Sequence, residues 1–207
     1  MTSVGPLTYV LIADGNSDRA LDAVVRWALR HQAPEAEIGE ARFVRRRQSV
    51  AATIASSVES YEPSLVFVHR DAENLPWEAR RQEIPNIESV VAVIPVRMTE
   101  AWLLIDEQAL RSAAGNPNGR ERLDMPRPQT LERMSDPKDR LETLLCAASG
   151  LSGRRRKAFS FPNARARLAS LIEDFGVLLG LPAFQSFLKE LETALASLAS
   201  KRSSSGR

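Results

Sequence analysis

The sequence has little cysteine and no long run of apolar residues. Cys146 is the only cysteine, so a single chain forms neither an internal disulfide nor a cysteine-based zinc site, and we expect this thiol to fill space in the core. No apolar run is long enough to cross a bilayer, and residues 1–6 lack the basic start and apolar stretch of a signal peptide. We therefore expect a cytoplasmic protein without a membrane partner.

Two motifs of phosphate chemistry are also missing. The pattern Gly-x-x-x-x-Gly-Lys-Ser/Thr is absent, so any ATP hydrolysis would come from a partner protein. The letters His69-Arg70-Asp71 match the catalytic loop of protein kinases, but no Gly-rich loop, Val-Ala-Ile-Lys or Asp-Phe-Gly accompanies them. We therefore reject a kinase.

What is present is an ordinary globular composition. The 207 residues are 43% hydrophobic, which is enough for one domain with a packed core and a helical extension. The net charge is only +2, but basic clusters occur at residues 45–47 and 154–157. These clusters either indicate a polyanionic partner or are arginines on an ordinary solvated surface.

Strand-like and helix-like segments alternate in the first half of the chain. Short apolar runs predict strands, and apolar residues at helical spacing follow each of them. The predicted strands are Leu7–Ile12, Ala41–Arg45, Leu65–His69 and Val90–Val96, and the helical segments are Leu21–Leu29, Val50–Tyr61, a stretch from Trp77, and Ala101–Leu110. The alternation predicts an α/β fold with a mainly parallel sheet and helices on both faces.

The composition changes after the predicted sheet. Residues 113–130 are rich in Gly, Asn, Pro and Arg, which predicts a long loop. Helical segments follow at residues 138–148 and 163–175, and a leucine-rich stripe runs from Leu181 to Leu198. We therefore expect an α/β core over residues 1–112, a helical subdomain over 113–200 that packs on it, and a disordered polar tail over 201–207.

Acidic side chains follow three of the predicted strands. Asp14 comes after the first strand with Asp18 four residues later, Asp71 and Glu73 come after the third, and Glu100 after the fourth. Ligands of parallel sheets bind beyond the carboxyl ends of the strands, and hard oxygen donors suit Mg²⁺ or Mn²⁺. The alternative for a single acid is a helix cap, and for Glu100 a first-turn acid favoured by the helix dipole.

These acids lie in segments that resemble the Toprim domain. Residues 12–18 (IADGNSD) resemble the first Toprim motif of OLD-type nucleases, in which a strand ends in Glu-Gly and a second acid follows three residues later. Residues 66–73 (VFVHRDAE) resemble the second motif, a strand followed by Asp-x-Asp. Residues 93–106 (VIPVRMTEAWLLID), with Lys138 and the C-terminal helices, are similar to an uncharacterised Toprim-like family often encoded beside ABC-type ATPases in defence islands. The sequence departs from the motifs in having Asp14 for Glu and Glu73 for Asp.

The resemblance implies a Toprim-like Rossmannoid fold and roles for individual residues. It implies Asp14 as the general acid or base, with Glu100 as a further ligand or a base for water. The implied metal ligands are Asp14, Asp18, Asp71 and Glu73, and Arg70, Arg97 and Lys138 are the expected phosphate-binding residues, although Arg97 also fits an exposed strand-end arginine.

The resemblance also leads to two hypotheses about function. The first is Mg²⁺- or Mn²⁺-dependent phosphodiester hydrolysis by a DNA or RNA nuclease subunit, with water as the nucleophile and a partner ATPase of the ABC or AAA type in a phage-defence system. The second is a non-catalytic Toprim-like module that binds a partner ATPase or nucleic acid. Self-association into a homo-oligomer is left open.

Overall fold

A computed structural model describes residues 6–73 and 75–205. Its sheet has four strands: β1 (Leu7–Ala13), β2 (Ile38–Arg45), β3 (Leu65–His69) and β4 (Val90–Val93). The strand order is β2-β1-β3-β4, and all three pairings are parallel. The predicted α/β fold with a parallel sheet is therefore confirmed, and the fold is Rossmann-like with additional C-terminal helices.

Eight α-helices surround the sheet within the described residues. They are α1 (Leu21–Gln32), α2 (Val50–Tyr61), α3 (Trp77–Gln82), α4 (Glu107–Ala113), α5 (Pro137–Ala148), α6 (Gly153–Lys157), α7 (Phe161–Leu171) and α8 (Pro182–Ser205). Four short 3-10 helices lie at Asn16–Ala20, Thr99–Leu103, Pro128–Arg133 and Gly176–Gly180.

The side chains on each face of the sheet form a separate apolar cluster with the helices that cover that face. Because side chains alternate along a strand, Val10 and Val66 point to one face, which α2 covers. Leu11 and Phe67 point to the opposite face, where α1 and the C-terminal helices pack in one continuous cluster. Helices therefore cover both faces, as the alternating pattern predicted.

Aromatic rings join the C-terminal helices to the sheet. Trp102 is fully buried, and its ring centroid lies 5.1 Å from that of Phe184 on α8 in an edge-to-face arrangement. Phe187 of α8 lies 6.3 Å from Phe67 of β3 in the same way. Such pairs stabilise by about 0.5–1.5 kcal/mol beyond the area they bury. The helical layer and the sheet thus share one core.

Some element boundaries differ from the expected ones. The helix expected at 101–110 is split, because Leu104 is non-helical (φ −86°, ψ 43°) and the Asp106 carboxylate accepts a hydrogen bond from Ala109 N to cap α4. β4 ends at Val93 instead of Val96, and Pro95, which lacks an N–H, follows. Cys146 is half-buried on α5 instead of filling the core.

The C-terminal helix is longer than expected. The prediction of a disordered tail over 201–207 is wrong for residues 201–205, because α8 continues through Ser205. The hydroxyls of Ser203 and Ser204 donate to carbonyls one turn earlier, at 3.0 and 2.9 Å, and Lys201 pairs with Glu88 at 2.7 Å. Residues 206 and 207 lie outside the described residues. Over 6–73 and 75–205, no helix combines the length and apolarity needed to span a membrane.

Candidate functional site

The loops after β3 and β4 run side by side at the carboxyl edge of the sheet. Backbone hydrogen bonds join Ala72 N to Pro95 O at 3.1 Å and Glu73 N to Arg97 O at 3.0 Å. The 3-10 helix that follows β1 lies beside these loops. The strand ends therefore bring together residues from three segments of the chain.

Asp18 is held by its own 3-10 helix. Its Oδ2 accepts a hydrogen bond from Gly15 N at 2.9 Å, and its Oδ1 accepts one from the Ser17 hydroxyl at 3.1 Å. An acid in the first turn of a helix is also favoured by the positive end of the helix dipole. These contacts fix a buried carboxylate that faces the end of β3.

Asp71 lies in a crowded acidic environment. Its Oδ1 accepts a hydrogen bond from Thr99 N at 3.0 Å, and 31% of its side chain is exposed. Burial raises the pKa of Asp71 to about 6, and the charges of Asp18 and Glu100 act in the same direction against the opposing effects of His69 and the Thr99 N–H. Asp71 is therefore poised to gain or lose a proton near neutral pH.

His69 is the last residue of β3 and is 2% exposed. Its Nδ1 lies 3.1 Å from Val93 O, and because a carbonyl only accepts, Nδ1 carries a hydrogen. Its Nε2 lies 3.3 Å from the Thr99 hydroxyl, 3.4 Å from Asp71 Oδ1 and 3.9 Å from Asp18 Oδ2. Nε2 is therefore the ring nitrogen that faces the Thr99 hydroxyl and both carboxylates.

Glu100 connects this site to the helical layer. It lies on the 3-10 helix after β4 and forms a buried ion pair with Arg165 of α7. A buried carboxylate without such a partner would be strongly destabilising. Arg165 therefore fixes the position of the Glu100 carboxylate, which is close enough to Asp71 to influence its pKa.

Asp14 makes its contacts with arginines, although it is near enough to His69 for that charge to lower its pKa. Its side chain is 47% exposed, accepts a hydrogen bond from Arg46 Nε at 2.5 Å and lies 3.7 Å from Arg70 Nε. Partial burial raises the pKa of Asp14, but the hydrogen bond from Arg46 and the charge of Arg70 outweigh it and lower the pKa overall. Asp14 is thus an ionised carboxylate held between two arginines.

Glu73 also points outward. Its φ is +53°, a conformation uncommon outside glycine, and its 63% exposed carboxylate pairs with Arg80 Nη2 at 2.8 Å. The second departure from the Toprim motif therefore falls on a side chain paired with an arginine.

The three expected phosphate-binding residues lie in different surroundings. Arg70 pairs with Glu83 at 2.9 Å in addition to its approach to Asp14. Arg97 is half-buried with a φ of +65°. Lys138 is exposed in the first turn of α5. Within residues 6–73 and 75–205, no hydrogen bond or ion pair joins Lys138 to the strand-end acids.

The structure thus groups part of the predicted set and adds residues to it. Asp18 and Asp71 lie beside His69 and Glu100 lies near Asp71, whereas Asp14 and Glu73 pair with arginines. The sequence reasoning gave His69 only a positioning role, although a histidine that ends an otherwise apolar strand was a usable signal. No pattern in the sequence pointed to Arg165, which is 65 residues from Glu100.

Asp18 and Asp71 are the carboxylates that would have to hold a metal ion at this site. Within residues 6–73 and 75–205, no group of three or more His, Cys, Asp or Glu side chains is arranged to hold a metal ion. However, Mg²⁺ is commonly bound by one or two carboxylates together with waters and substrate phosphates. Asp18 Oδ2 and Asp71 Oδ1 both approach His69 Nε2, so they are at most 7.3 Å apart, the sum of the two distances. Both are hard oxygen donors, and to share one Mg²⁺ they would have to come within about 4.2 Å of each other, twice the Mg–O distance.

Comparisons with known proteins identify no relative from which a function could be inferred. No protein-family model matches the chain, and no curated protein or solved structure matches it. The resemblance to Toprim domains therefore stays a prediction from the motifs.

Proposed function

We propose that this protein is a Mg²⁺- or Mn²⁺-dependent phosphodiesterase that cleaves DNA or RNA, with Asp18, His69 and Asp71 at its reaction centre. One observation carries the proposal: a buried imidazole nitrogen lies within 4 Å of two carboxylates at the carboxyl end of a central parallel strand. Such strand ends are where ligands of α/β sheets bind.

The electrostatics of the carboxylates support a bound cation. Asp71 resists ionisation because it is largely buried near Asp18 and Glu100. A divalent ion beside Asp18 and Asp71 would offset that repulsion, and the Glu100 carboxylate, held by Arg165, would add to the negative potential. When bound, the ion would neutralise phosphate charge and make a coordinated water more acidic.

His69 has the geometry of a proton-transfer group. Because Nδ1–H donates to Val93 O, the ring orientation is fixed and Nε2 is the nitrogen that faces the carboxylates. Nε2 would take a proton from the attacking water, and Asp71 would stabilise the resulting imidazolium at 3.4 Å. The leaving oxygen would then receive its proton from His69 or from solvent.

The second candidate is a non-catalytic Toprim-like module that binds nucleic acid or a partner ATPase. A specific observation favours it: Asp14 and Glu73, the two positions that depart from the Toprim motifs, are both engaged by arginines instead of facing the other acids. In that case the buried acids would serve only to hold the strand ends together.

A cleavage assay separates the two functions. Purified protein would be incubated with supercoiled plasmid, labelled single-stranded DNA and labelled RNA in Mg²⁺, Mn²⁺ or EDTA. Asp71→Asn keeps an oxygen for the Thr99 N–H and removes the charge, and Glu73→Gln is a matched control two residues away on an exposed carboxylate. We expect metal-dependent cleavage by the wild type and the control and none by Asp71→Asn.

Two results would contradict the phosphodiesterase. Cleavage that is unchanged in Asp71→Asn would exclude this site as the reaction centre. Absence of cleavage with every substrate and metal, combined with retained nucleic-acid or ATPase binding, would favour the binding module.

The proposal includes a cytoplasmic location, a partner ATPase of the ABC or AAA type and a role in phage defence. Co-expression with a candidate ATPase followed by affinity purification tests the partner, and light scattering of the purified protein tests for a homo-oligomer. A chain that never co-purifies with such an ATPase would be expected to act alone.

A further inference from the structure

A groove of about 900 Å³ runs between α1 and α7. Four arginines and two acids line it: Arg19, Arg26, Arg30, Arg165, Asp22 and Glu173. A concave surface with an excess of cations concentrates the electrostatic potential and attracts polyanions. The groove is therefore a candidate site for a negatively charged ligand.

Two of these arginines are available to such a ligand. Arg26 pairs with Asp22 at 2.9 Å, and Arg165 pairs with Glu100. Arg19 and Arg30 are exposed, and among the described residues neither has a carboxylate within ion-pair distance. The guanidinium carbon of Arg19 lies over the ring of Phe43, 4.4 Å from its centroid, which limits the motion of this side chain.

One end of the groove lies beside the segment that carries Asp18. Asn16 and Ser17 line it, and the next residue in the chain is Asp18. Arg165 also lines it, while its guanidinium binds Glu100 close to Asp71. A linear polyanion in the groove would thus extend toward the proposed reaction centre.

We propose that this groove binds the phosphodiester backbone of a single-stranded nucleic acid and leads the strand to Asp18 and Asp71. This inference rests on the proposed function and assigns its substrate path. The half-buried Trp27, stacked on His31, also lines the groove, and arginines combined with an accessible aromatic ring are typical of grooves for single strands. Duplexes, in contrast, are usually contacted by protruding helices or ribbons that enter their own grooves.

The groove can be tested without metal, so that the test does not depend on cleavage. Fluorescence anisotropy in EDTA would measure binding of a labelled oligo(dT) of about 12 nucleotides, within the footprint of single-strand grooves. The double variant Arg19→Ala/Arg30→Ala removes two exposed cations from the groove. The matched control Arg154→Ala/Arg155→Ala removes two exposed cations from α6, outside the groove lining.

Counterion release sets the size of the expected effect. Loss of two phosphate contacts on a single strand should lower the salt slope, −d log K/d log[salt], by about 1.4, which corresponds to roughly 25-fold weaker binding at about 0.1 M salt. The α6 control should change affinity and slope much less. Circular dichroism and thermal unfolding would verify that both double variants fold as the wild type does.

Three results would contradict the proposal that the groove binds a single strand. They are an unchanged affinity in the groove variant, an equal or larger loss in the α6 variant, and an affinity for dTMP equal to that for the oligonucleotide, which would indicate a nucleotide pocket. The same proteins with Mn²⁺ then test cleavage separately. If the groove variant binds more weakly but no protein cleaves, the groove proposal is supported and the phosphodiesterase is contradicted. If the wild type cleaves but the groove variant binds as tightly as the wild type, the phosphodiesterase is supported and the groove proposal is contradicted.

Discussion

Ionised Asp71, which lies near Asp18 and Glu100, should lower the free energy of unfolding at neutral pH. Asp71→Asn should remove this destabilisation. The pKa of Asp71 rises from 3.8 to about 6 on folding. At about 1.4 kcal/mol for each tenfold change in proton affinity, this is about 3 kcal/mol, and solvent screening at the 31% exposed side chain reduces it to about 2 kcal/mol. The asparagine oxygen would still accept the hydrogen bond from Thr99 N.

The cost has a defined pH range. Below about pH 4, Asp71 is protonated in the folded and unfolded states, and its contribution is zero. Between about pH 4 and 6 the unfolded chain releases the proton first, so the folded state binds more protons and stability falls as the pH rises. Above about pH 6 the full cost is present. The neutral side chain in Asp71→Asn has no such dependence.

Urea unfolding in EDTA at several pH values measures the effect directly. We expect Asp71→Asn to be about 2 kcal/mol more stable than the wild type at about pH 7.5, with a Tm roughly 4–8 °C higher, and equal to it near pH 4. Adding Mg²⁺ or Mn²⁺ at about 100 times its Kd should stabilise the wild type by about 2.7 kcal/mol and leave the variant unchanged.

Asp14→Asn provides the control of opposite sign. Its carboxylate has a lowered pKa and pairs with Arg46 on an exposed surface, so its loss should destabilise the protein by less than about 1 kcal/mol. The reasoning about Asp71 is refuted if Asp71→Asn is no more stable than the wild type near pH 7.5, or if it retains the wild-type pH dependence between pH 4 and 6.

Three further predictions concern the contacts that hold the helical layer to the sheet. Arg165→Met should destabilise the protein by roughly 3–5 kcal/mol in urea unfolding, because Glu100 stays buried without a cation, and adding Glu100→Gln should recover most of the loss; no recovery would contradict the ion-pair interpretation. Glu190→Ala should cost about 1–3 kcal/mol and speed amide exchange at Ala92, whose N–H donates to Glu190 at 3.0 Å on the edge of β4; unchanged exchange would contradict this. Phe187→Ala should lower stability by about 3–5 kcal/mol while unfolding stays a single transition, and two separate transitions would show that the layer folds independently.

The fold was predictable because its strands are short apolar runs with few alternatives. All five residues of β3 are buried, and β1 and β3 are the two central strands, so polar residues are few in them: Thr8 in β1 and His69 at the end of β3. Boundaries were less predictable, since they depend on single contacts. The pairing of Lys201 with Glu88, for example, joins the end of α8 to a residue far away in the sequence.

The sequence by itself determined which acids reach the carboxyl edge of the sheet, because strand direction and the alternation with helices place the residues after each strand there. Only the tertiary structure decided which carboxylates share an environment. Asp14 and Glu73 are drawn outward by Arg46 and Arg80, while Asp18 and Asp71 face His69. Pairings such as Asp14 with Arg46 and Glu100 with Arg165 join residues far apart in the chain, so the direction of each carboxylate follows from packing and not from local spacing.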